Sequence, residues 1–163
     1  MKYAFRNVLA VLLFTSAPAL TAELPKEGNF DYTACQTSVN NVISFSKDHT
    51  ASSYELTGSI NSNPPGGMFD KSSFRCVGIN SSLSGKTTGM TVCEAIDVDG
   101  DKRLTYYSLA ADGKVTREAV TGTGKYDGMV VSATKFEPIG PFPTIKVGTT
   151  QTCNRQTGTY KLK

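Results

Sequence analysis

The chain has 163 residues, 39% of them hydrophobic and 19% charged, with a formal net charge of +3. That is material for one domain. Lys2 and Arg6 lie in the first 22 residues, so the remaining 141 (163 less 22) carry only +1. That balance excludes an electrostatic argument for nucleic acid or an anionic membrane surface as partner.

The amino terminus reads as a secretory signal peptide over residues 1–22. Lys2 and Arg6 form a basic start, Val8 to Phe14 an apolar run too short to span a bilayer, and Ala17, Ala19 and Ala22 the small residues of a cleavage region. Cleavage after Ala22 falls at the change of composition, and Ala19 is the other candidate. Residues 23–163 are then an exported domain, periplasmic or extracellular, with no further segment apolar enough to cross a membrane.

In that domain ten Val, six Ile and eighteen Thr stand against six Leu and seven Ala, a β-branched excess that favours strands over helices. Strand-like runs cover 33–46, 53–62, 73–82, 87–98, 102–109, 114–121, 128–135, 144–152 and 157–162. Turn chemistry separates many of them, as in Asn63-Pro64-Pro65-Gly66-Gly67, Asp99-Gly100, Asp112-Gly113 and Pro138-Ile139-Gly140-Pro141. Strands joined by short turns predict an all-β fold, a single antiparallel up-and-down barrel of about eight strands, with a two-sheet sandwich as the alternative. Under period-two alternation Val92, Ile96, Val115 and Val131 are expected to face the core.

Four cysteines, Cys35, Cys76, Cys93 and Cys153, lie in the exported part, where the redox environment favours disulfides. Folding the chain about Ser84-Gly85 sets Cys76 opposite Cys93, at a separation a disulfide can bridge. Cys35 then pairs with Cys153, tying the first strand to the last. Free buried thiols remain an alternative. No CxxC or CxxH spacing occurs and His49 is the only histidine, so no metal site is expected.

Several segments imitate functional motifs. Asp97-Val98-Asp99-Gly100-Asp101 starts like a calcium-binding loop, but its glycine stands fourth rather than sixth and Ser108 occupies the twelfth position. Gly85-Lys86-Thr87 resembles the end of a phosphate-binding loop, yet Asn80 replaces the required glycine. Gly122-Thr123-Gly124-Lys125-Tyr126-Asp127-Gly128 resembles a dinucleotide loop without its βαβ unit. All three read as turns, and no cofactor is expected. For catalysis, no G-x-S-x-G occurs, His49 sits in a loop, and no spacing pairs Glu94, Glu118 or Glu137.

Phe74-Arg75-Cys76-Val77-Gly78, the Cys93 to Asp101 run, the Gly122 to Gly128 turn and the closing Cys153 to Leu162 strand together resemble small exported bacterial proteins of the allene oxide cyclase-like kind. The resemblance covers 53–162 and implies a calycin-like barrel, an architecture shared in outline with dirigent proteins. Plant cyclases of this fold act on a fatty-acid epoxide and dirigent proteins guide radical coupling. Neither family's functional residues match a motif in this chain, so none is carried over.

Three functions follow as expectations. The first is binding of a small apolar or amphipathic molecule inside the barrel, with Tyr106, Tyr107, Phe136, Arg75 and Arg117 as candidate lining residues, and Tyr126 and Phe142 as further aromatics. The second is a secreted interaction or inhibitor module using loops 61–70 or 137–144. The third is a cyclase or isomerase whose cavity restrains its substrate. The binding reading leads, without a catalytic residue assigned.

Overall fold

The computed structural model describes residues 24–163, except for the side chains of residues 133 and 134. The signal peptide expected over 1–22 lies outside the described residues. Eight strands follow one another: β1 (Glu27–Ser46), β2 (His49–Ser62), β3 (Ser72–Leu83), β4 (Lys86–Ile96), β5 (Lys102–Leu109), β6 (Val115–Gly122), β7 (Val130–Ile139) and β8 (Thr149–Lys161). A single 3-10 turn, Gly124–Tyr126, bridges β6 and β7, and the described residues form no α-helix. None of their elements is a helix long and apolar enough to cross a membrane.

The strands form one antiparallel sheet in the order β6-β5-β4-β3-β2-β1-β8-β7. The runs expected at 144–152 and 157–162 are one strand. The polar stretch between them, Cys153 to Gln156, continues the ladder opposite Tyr32 to Cys35, and its inward Asn154 and Gln156 are buried and hydrogen-bonded.

The sheet is curled into an open half-barrel rather than closed. Its edges, β6 and β7, approach within 8 Å between Cα atoms without sharing a ladder. The β7 edge is poorly suited to pairing. It bulges between Ala133 and Lys135 and then carries Pro138, which has no N–H to donate.

The curl has a sequence cause in four direct cross-strand pairs of glycine with an aromatic residue: Gly28 with Tyr160, Phe30 with Gly158, Tyr54 with Gly78, and Gly58 with Phe74. A Cβ at Gly158 would lie 2.5 Å from the Phe30 ring, and one at Gly78 2.5 Å from the Tyr54 ring. Each ring therefore lies flat across its neighbouring strand, which lets the sheet coil tightly round its inner face.

One end is plugged. The loop between β2 and β3 folds back beneath the sheet, where Met68 and Phe69 join Phe30, Tyr32, Ile60, Tyr126 and others in the hydrophobic core. The Asp70 carboxylate holds the loop by accepting the Ser62 and Gly66 backbone N–H groups, both at 2.8 Å. Alongside it, the β4–β5 turn is latched to the Gly124–Tyr126 turn. The Lys125 ammonium sits 2.7 Å from Asp97 Oδ2 and 2.6 Å from Asp99 Oδ2, the place a cation would take in a calcium loop. A Cβ at Gly124, whose φ is +52°, would lie 1.8 Å from the Asp101 carboxylate.

Two of the four expected core valines and isoleucines face the other way. Cys93 and Ala95 point inward on β4, as does Asp97 just beyond its end, so Val92 lies on the outer face and Ile96 is 41% exposed. Val115 points inward but at the rim, 42% exposed, and Val131 is in the core as expected. The crowded inner face favours small residues opposite the aromatic rings. Hydrophobic alternation alone does not distinguish such an interior from the broader, still partly apolar exterior.

The Asp97 and Asp70 carboxyls are both held below the ordinary carboxylate range. Burial acts against this in each, and is outweighed at Asp97 by Lys125 and at Asp70 by the Gly66 and Ser62 amides. The unfolded chain takes up protons near pH 3.9, above the folded values, so this stabilisation is complete above that point and is lost as pH falls through the folded pKa values. Thermal midpoints should be flat from neutrality to about pH 5 and fall below about pH 4. Asp70→Asn and Asp97→Asn should each flatten that acid limb in a pH series of thermal melts. Lys125→Met, which leaves the Asp97 carboxylate with the Tyr126 hydroxyl and backbone N–H donors, should cost about 1–3 kcal/mol in urea denaturation at neutral pH.

Candidate functional site

Above the plug, the inner face lines a half-open cavity of about 220 Å3. Its walls come from alternate residues of successive strands: Leu56 on β2, Phe74 and Cys76 on β3, Cys93 and Ala95 on β4, Thr105 and Tyr107 on β5. The two disulfides form as expected, Cys76–Cys93 and Cys35–Cys153, each between directly opposed residues. Opposite phases put them on opposite faces. Cys76–Cys93 lines the cavity, whereas Cys35 is exposed on the exterior. Such bridges are compatible with an oxidising, exported location.

Two arginines form the polar end of the cavity, Arg103 on β5 and Arg117 on β6. Arg103 is only 3% exposed. Its guanidinium lies 4.5 Å above the Phe69 ring and 5.2 Å from that of Tyr126, and Nη1 donates to Ser72 Oγ at 3.2 Å. Arg117 lies 5.1 Å from the Phe69 ring centre and 5.2 Å from that of Phe30, with Tyr32 and Tyr107 beyond. Its Nε and Nη1 are buried without a hydrogen-bond partner. No Asp or Glu lines the cavity among the described residues.

The electrostatics are therefore one-sided. Burial, followed by lesser influences that include the nearby Arg117 charge, pulls the Arg103 pKa down. Burial pushes the Tyr32 hydroxyl far up and that of Tyr126 up to about 12, so both are neutral donors at neutral pH. Tyr32 donates to Gln156 Oε1 at 2.6 Å, and Gln156 Nε2 to Asn154 Oδ1 at 2.9 Å, giving a satisfied polar wall beside the arginines.

Of the five candidate lining residues, the structure brings three together. Tyr107, Arg117 and Phe136 line the cavity, Phe136 from β7 opposite Gln156 and 43% exposed. Tyr106 and Arg75 stand outside it, because their inward neighbours Thr105, Tyr107, Phe74 and Cys76 take the inner face. Arg75 pairs there with Glu55, Nε to Oε1 at 2.9 Å. Tyr126 belongs to the plug, and Phe142 is an exposed loop residue.

Arg103 was not among the candidates. An arginine between Lys102 and Leu104 reads as a surface residue until the plug loop is seen beneath it. The one legible signal was its position two residues before Thr105 and four before Tyr107 on a single strand face.

No catalytic constellation forms among the residues considered for one. His49 sits at the exposed tip of the β1–β2 hairpin, with Nδ1 3.0 Å from Ser46 Oγ and Nε2 3.4 Å from Ser84 Oγ. Glu94 faces outward to Lys102 at 3.2 Å and Glu137 pairs with Lys135. Glu118 is exposed on β6. Comparison of the chain with protein-family models, with curated proteins and with solved structures finds no match.

Proposed function

We propose that this protein is an exported binding protein that holds a small amphipathic molecule inside the half-barrel. The observation that carries the reading is the cavity itself: largely apolar walls, plugged at the Phe69 end, with both arginines gathered beside the plug. Predominantly apolar walls with a few convergent polar groups are what a small-molecule site requires. The resemblance to allene oxide cyclase-like barrels supports the same use of the interior, in a sheet left open along one side.

The reading is tested by a thermal-shift screen of fatty acids, isoprenoids and aromatic compounds against nucleotides and divalent metals. A ligand held only by the folded state should add about 2.7 kcal/mol at a hundred times its Kd. Stabilisation by amphipathic compounds alone is the expected outcome. Stabilisation by nucleotides or metals alone overturns it. The interaction-module reading has one observation in its favour, the apolar stripe of Val77, Ile79 and Met90 exposed on the outer face of β3 and β4. It moves ahead if no small molecule binds.

A further inference from the structure

We infer that the molecule held in this cavity is a monocarboxylate of medium chain length, its carboxylate received by Arg117 beside Arg103 and its chain lying along Cys76–Cys93. The inference rests on the binding reading above and adds the charge and class of the ligand.

Two guanidinium groups share one apolar enclosure, and no Asp or Glu lines it among the described residues. Withdrawing an ion from water is costly even after relaxation. Cation–π contacts return part of that cost, and Arg103 adds a single hydrogen bond to a neutral serine. For Arg103, with two rings and Ser72, the account is nearly balanced. Arg117 has four rings around it, but rings do not replace hydrogen bonds, and its Nε and Nη1 are buried and make none. A fold that leaves such donors in a cavity is poised for an acceptor that arrives from outside.

Size and charge narrow the class. The volume of about 220 Å3 admits a short or medium acyl chain and leaves no room for a nucleotide or a diacyl lipid. One arginine with free donors, beside a second already engaged, matches a single negative charge. A carboxylate accepts charge-assisted hydrogen bonds from a guanidinium and presents no hydroxyl or further charge that the surrounding rings would have to solvate.

The experiment is titration calorimetry of the full mature protein with decanoate, decanol, decylamine and decyl phosphate. Decanoate should bind roughly ten- to a hundredfold more tightly than decanol, the value of a hydrogen bond to a charged group, and decylamine not at all. Arg117→Met should erase the difference between decanoate and decanol. Because Arg117 carries a charge without a counter-ion, the ligand-free variant should melt at or above the wild-type midpoint. A merely structural arginine would instead lower it.

Should the variant fail to fold, the wild type still decides. Carboxyl-labelled [13C]decanoate bound to it should ionise at least about one pH unit below the free acid, as a carboxylate beside a guanidinium does. Equal binding of decanol and decanoate, or tighter binding of decyl phosphate, overturns the carboxylate assignment while leaving the binding reading standing. Failure of all four compounds to bind overturns both.

Discussion

Phe69→Ala should cost about 3–5 kcal/mol, among the largest effects of any single substitution in this protein. The side chain is 1% exposed and stands at the centre of the plug, 5.3 Å from the Phe30 ring, 5.6 Å from Tyr32 and 6.0 Å from Tyr126. Its loss removes the transfer energy of a whole ring and leaves a void that the curled sheet cannot collapse into. It also strips both guanidinium groups of the ring nearest to them. Phe69 holds φ at +73°, a strain that alanine shares, so the expected loss is that of the ring. Urea denaturation should show an earlier midpoint with an unchanged slope, and thermal melts a fall of roughly 10 °C or more. A change under 1 kcal/mol would mean the loop is not the plug that the structure shows.

Removing the Cys35–Cys153 bridge should cost about 4–5 kcal/mol, since it closes a loop with a sequence separation of 118. The inner bridge, with a separation of 17, is worth about 3 kcal/mol by the same loop entropy. Double substitutions to alanine at each pair, compared by urea denaturation, check the order. Accessibility predicts the opposite order for chemistry. Cys35 is exposed while Cys76 is 2% exposed, so mild dithiothreitol should open Cys35–Cys153 first and leave Cys76–Cys93 intact in peptide maps. The outer bridge is thus both the more stabilising and the more vulnerable.

Much of this architecture was legible in the residue order because its determinants are local. The turn at Ser84-Gly85 sets the register of β3 on β4, and that register alone places Cys76 opposite Cys93. The antiparallel meander from β1 to β6 and the absence of a long helical period follow from turn chemistry and β-branched composition, and Cys35–Cys153 follows as the pair that Cys76–Cys93 leaves over. So does the reading of Asp97 to Asp101 as a hairpin turn, which the structure bears out with the Gly100 N–H bonded back to Asp97 O at 3.1 Å.

Other features depend on contacts between segments distant in the chain. Whether Val92 or Cys93 faces inward cannot be told from alternation, since both phases of β4 carry apolar side chains. The choice belongs to the curl, which Gly78 and Gly58 permit by accepting the Tyr54 and Phe74 rings across the strand. The opening between β6 and β7 follows from an edge whose bulge and proline suit it poorly to a partner. The polar end of the cavity is the clearest case. Arg103 and Arg117 are two arginines on adjacent strands, and elsewhere Arg75 and Arg155 find Glu55 and Asp31 as partners. Sequence by itself determined the antiparallel meander through β6 and the two bridges. Only tertiary structure decided that Phe69 folds under the sheet and that both inward arginines meet aromatic rings instead of carboxylates, because a buried charge acquires its meaning from what the rest of the fold brings beside it.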